Sequence, residues 1–95
     1  MTLKEMRLKR IDSLNEKLKN KYQSMKINGT MAFVLNDGQI CRLDSIGDCN
    51  AIVIEYAENY EEAKKGLFGE DGDLFYMDEM DEEQMYNAMI KEIEG

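Results

Sequence analysis

Residues 70–83 read EDGDLFYMDEMDEE, and the eight carboxylates of that run, with no base among them, are the first place to look for chemistry. Carboxylates so closely spaced could hold a hard cation, move a proton between two acids, or present bare charge to a partner. A calcium loop of the EF-hand type needs oxygen ligands at positions 1, 3 and 5, glycine at 6 and glutamate at 12. In DGDLFYMDEMDE, Phe75 and Tyr76 stand where the third ligand and the glycine belong, so no dedicated calcium site is expected. Acid–base work needs two carboxyls whose surroundings push their pKa values apart; a polar, self-repelling run reads instead as a solvated face. The chain has no histidine, the commonest general base and metal ligand, and its two cysteines are too few for a closed zinc site. The glycines follow neither the phosphate-loop nor the dinucleotide spacing. No catalytic residue, cofactor or metal is expected.

The rest of the composition bounds the answer further. Ninety-five residues suit one α+β domain spanning 1–95, and 43% apolar content supports a folded core beneath a surface enriched in charge, at 34% of residues. No apolar stretch is long enough to span a bilayer and no signal-peptide pattern opens the chain, so a cytoplasmic location without membrane contact is expected. Cys41 and Cys49 then read as reduced thiols. Charge is unevenly divided: residues 1–30 carry eight bases against three acids, a net of +5, and residues 31–95 carry four bases against seventeen acids, a net of −13. Such asymmetry points to a polar interaction surface.

The elements that must position these charges follow from periodicity and punctuation. Thr2 and Glu5 form a capping box, so a helix starts at Leu3. Leu3, Ile11, Leu14, Leu18, Tyr22 and Met25 share one face at helical spacing, which predicts a long helix ending near Lys26, before Asn28-Gly29. MAFVLN and QICRLD flank Asp37-Gly38 as a hairpin; a two-residue turn sets Leu35 opposite Ile40 and Val34 opposite Cys41. AIVIEYA, residues 51–57, supplies a third antiparallel strand. NYEEAKKG reads as a short helix capped by Asn59 and ended by Gly66, and LFGEDGDLF as a loop anchored by Leu67, Phe68 and Phe75. A last helix begins between Asp78 and Asp81, with Met85, Tyr86, Met89, Ile90 and Ile93 on its apolar face. The expected architecture is therefore a long N-terminal helix, a three-stranded sheet, a short helix, an acidic loop and a C-terminal helix.

Two uses of the charge remain open. In one, the basic N-terminal helix lies against the acidic remainder, in the same chain or in a partner copy, which makes a self-associating accessory protein or homodimer. In the other, the acids stand in for phosphates, spaced about 1.7 Å per charge along duplex DNA, and engage a basic protein such as a nuclease or another nucleic-acid-binding protein. Phe75, Tyr76, Met77 and Met80 serve either as apolar anchors on that partner or as attachments of the loop to the core. Direct nucleic-acid binding through the basic helix is opposed by the −13 on the same small body.

The order of elements, with Asn36-Asp37-Gly38 and YMDEMDEEQMYNAM, resembles small phage and mobile-element proteins, and among them the compact acidic Cas9 inhibitors of the anti-CRISPR class; the likeness covers residues 31–89. It implies a DNA mimic in which Asp71, Asp73, Asp78, Glu79, Asp81, Glu82 and Glu83 replace phosphates, with Asp37 at the neighbouring hairpin. The longer, basic first helix departs from that family's pattern.

Overall fold

The capping box at Thr2 and Glu5 forms as the spacing predicts, and α1 runs from Leu3 to Lys19. The computed structural model describes residues 1–95 apart from the side chain of Glu70. Ile11, Leu14 and Leu18 are buried along α1, but Leu3, in its first turn, is 59% exposed.

The helix does not continue to Lys26. Asn20 caps it, and β1 follows at Gln23–Ile27. Tyr22 and Met25 continue the helical spacing of α1 but pack on opposite faces of the sheet; pairing with β2 (Thr30–Val34) settles the choice, since the ladder from Gln23↔Val34 to Ile27↔Thr30 satisfies the backbone along β1. Asn28-Gly29, expected to end a helix, is the two-residue turn of this hairpin. Both residues have positive φ, 52° and 82°, as a type I′ turn requires.

Five antiparallel strands, not three, make one sheet in the order β1-β2-β3-β4-β5, with β3 at Ile40–Ile46, β4 at Ala51–Ala57 and β5 at Glu70–Tyr76. At the β2–β3 turn Val34 pairs with Ile40 and Phe33 with Cys41, one residue away from the two-residue register. The Leu35 N–H donates to the Gln39 carbonyl at 2.9 Å, so the loop is Asn36-Asp37-Gly38 with Gly38 at φ 89°, a three-residue turn rather than two. The segment expected as an acidic loop is β5. Its Asp-Gly pair sits at a bulge between the pairings Val53↔Leu74 and Glu55↔Asp71, where an edge strand tolerates glycine.

Both sheet faces are apolar. On one, Phe33, Cys41, Leu43, Ile52, Ile54 and Phe75 meet α1 and α3 (Glu82–Glu94), whose Met85 and Met89 are fully buried. Burying a side chain of this size stabilises by about 1.5–3 kcal/mol. On the other, Ile27, Ala32, Ile40 and Ala57 meet Ala63 of α2 (Tyr60–Lys64), the short helix that Asn59 caps. Phe68 lies over the Arg42 guanidinium, 3.9 Å from ring centroid to Cζ.

Candidate functional site

Among the candidate acids, the connection from β5 to α3 holds five. Tyr76 ends β5, and its carbonyl accepts from the N–H groups of Glu79 and Met80 at 3.1 and 3.2 Å, which folds Met77–Met80 into a tight turn. Asp81 then caps α3, its carboxylate accepting from the Gln84 N–H at 2.8 Å while Gln84 returns a bond to the Asp81 N–H. Glu82 and Glu83 occupy the first helical turn, where the dipole favours them. Asp78, Glu79, Asp81, Glu82 and Glu83 thus share one corner of the molecule.

That corner rests on cations of α1. The Arg10 guanidinium donates to the Met80 carbonyl at 3.1 Å, and Lys17 pairs with Glu82 at 3.2 Å. A hydrogen bond from Ser13, then Lys17, holds the Glu82 carboxyl below the usual range. Asp78, Glu79 and Glu83 are exposed and join no ion pair among the described residues.

The remaining candidates lie elsewhere. Asp71 and Asp73 are exposed on β5. Asp37 is at the β2–β3 turn, accepts from the Gln39 N–H at 3.0 Å, and borders a hollow shared with Ile93 and Glu94 at the far end of α3. A helix of 13 residues is about 20 Å long, so Asp37 stands that far from the corner. Phe75 is buried against the core, Met77 and Met80 are half-buried against it, and Tyr76 is exposed.

Sequence reasoning missed two participants. Glu92 of α3 reaches over the β5 bulge, accepting from the Asp73 N–H at 2.8 Å and from the Tyr56 hydroxyl at 2.6 Å. It lies where a Cβ on residue 72 would be, so Gly72 makes room for it. Arg7, in the apolar stripe, is only 7% exposed and donates to Ser45 Oγ at 2.6 Å and Asn50 Oδ1 at 2.8 Å, tying α1 to the end of β3 and to the β3–β4 loop. An arginine at a core position of an amphipathic helix was the available signal; nothing local marked Glu92.

Among the described residues no group of three or more histidine, cysteine or acidic side chains is placed to share a metal ion, and no helix is long and apolar enough to cross a membrane. No protein-family model matches the chain, and no curated protein or solved structure matches it either.

Proposed function

We propose that this is a non-enzymatic interaction protein whose β5–α3 corner docks on a basic partner protein, with DNA mimicry against a nucleic-acid-processing enzyme as its inhibitory form. The carrying observation is the unequal use of charge at the corner. Arg10 reaches the Met80 carbonyl and the Met85 sulfur, and Lys17 reaches Glu82 and the Tyr86 ring, while Asp78, Glu79 and Glu83 are exposed and join no ion pair among the described residues. Outward, unpaired carboxylates on a chain of net charge −8 attract a cationic surface and repel nucleic acid. The resemblance to anti-CRISPR inhibitors suggests which enzyme to try first.

The test is binding to a Cas9-type nuclease and to unrelated DNA-binding proteins, with duplex DNA as competitor. Salt-sensitive, equimolar binding that DNA displaces, and that is lost in the triple variant D78N/E79Q/E83Q, is the expected result. Binding indifferent to those substitutions overturns the proposal.

A second reading has its own support: Lys4, Lys9 and Lys19 are exposed on α1 and form no ion pair among the described residues. They could meet the acidic corner of another copy. A salt-sensitive dimer that ignores basic nucleases is the outcome that favours this self-association.

A further inference from the structure

We propose that the free edge of β5 is a strand-addition site, where a short, extended, basic segment of the partner protein continues the sheet. This deepens the acidic-docking reading and rests on it. The ladder shows which backbone groups are available. The Met77 N–H donates to the Asn50 carbonyl at 3.0 Å, so Met77 and Phe75 direct their backbone groups toward β4. Alternation then directs those of Leu74 and Tyr76 outward. The Tyr76 carbonyl serves the following turn, which leaves the Leu74 N–H, the Leu74 carbonyl and the Tyr76 N–H along the open edge.

A groove of about 710 Å³ runs beside this edge, floored by Asp73–Tyr76 and walled by Ala88, Lys91 and Glu92 of α3. Leu74 and Tyr76 are 39% and 37% exposed, and offer apolar contact to alternate side chains of an added strand. The bulge just before Leu74 breaks the alternation, so the new ladder stops there and spans three or four residues, roughly 10–14 Å.

Charge decides the occupant. Asp71 and Asp73 lie at one end of the edge, Asp78 and Glu79 at the other, and Lys91 is the one cation among the groove's lining residues. An extended segment with apolar residues in the middle and Lys or Arg at both ends matches this pattern. The opposite edge strand, β1, carries Lys26, with Lys21 just before it, and has the wrong sign for the same partner.

The probe is the acetylated, amidated heptapeptide KRVTVKR, titrated into the isotope-labelled full chain and followed by the amide resonances of Leu74 and Tyr76. Two N-methylated versions block the two alternate sets of peptide amides. One version is expected to bind about tenfold more weakly and the other unchanged, because only one set faces β5. In Leu74→Pro, which removes an edge donor without touching the β4 ladder, the parent peptide weakens to the level of the blocked version. If both versions bind like the parent, through the acids alone, strand addition is overturned and the acidic-docking reading stands. If no peptide binds even at low salt, both fall. Growth of the protein's mass with concentration, as β1 of one copy pairs with β5 of the next, also overturns the proposal, since a second copy then occupies the edge.

Discussion

Arg7 is a cation in the core that forms no ion pair among the described residues and is held by neutral oxygens of Ser45 and Asn50. Hydrogen bonds from a charged donor contribute about 1.5–3 kcal/mol each, so Arg7→Ala should destabilise by roughly 3 kcal/mol. Arg7→Lys should not rescue, since an ammonium cannot reproduce the fork; thermal unfolding of both variants checks this. The two thiols should also separate. Burial, then the charge of Glu92, pushes Cys41 up to about 12, whereas Cys49 is half-exposed in the β3–β4 loop. One thiol per chain is expected to react with Ellman's reagent in the native protein and the second only in denaturant. Glu82 and Glu55 should respond to acid with opposite signs. The Ser13 hydrogen bond lowers Glu82, so its contribution is present above the usual 4.5 and fades as pH falls below that. Burial raises Glu55 despite the 2.9 Å pair with Arg42, so its contribution is full below 4.5 and fades as pH rises. Urea unfolding across pH should show wild type losing its advantage over Glu82→Gln on acidification, and gaining relative to Glu55→Gln.

At the scale of elements, the two β-turns and the β5 bulge determine the sheet. Gly29 stands at φ 82°, and a side chain there costs about 1–2 kcal/mol, so Gly29→Ala should lower stability by that amount, read from a urea midpoint shift. Gly72→Ala acts differently: its Cβ displaces Glu92 from Asp73 and Tyr56 and leaves the bulge unbraced. Its effect should overlap with that of Glu92→Ala, the double variant costing less than the sum, which a double-mutant cycle measures. The elements with a helix cap or a continuous apolar run were legible beforehand: the start of α1, α2 with Asn59, β4 at Ala51–Ala57 and the start of α3. Both missed strands are edges. Gln23–Ile27 shares its spacing with a helix, and Glu70–Tyr76 carries the glycine and acids of a loop. Each becomes a strand only through a neighbour distant in sequence or across a turn.

The whole molecule divides its charge rather than cancelling it. Asp78, Glu79 and Glu83 repel one another and join no ion pair among the described residues, so D78N/E79Q/E83Q should leave unfolding free energy within about 0.5 kcal/mol of wild type, or raise it. The same variant should lose partner binding, which separates the surface's role in recognition from any role in folding. Glu82→Gln, which breaks the pair with Lys17, should be the more destabilising of the two changes at neutral pH.

The residues alone determined that the chain is α+β, where four of its helical and strand segments begin, and that negative charge gathers late in the sequence. These depend on caps, on periodicity and on counting, all of which act within a few residues. Tertiary structure alone decided the number of strands, the register of the first two hairpins and the distribution of the acids. Backbone groups of edge strands are satisfied by remote partners, and a carboxylate's surroundings depend on which helix packs beneath it. So Glu82 of α3 meets Lys17 of α1, Asp37 stands at the other end of α3, and Glu92 braces a bulge that its own neighbours do not announce.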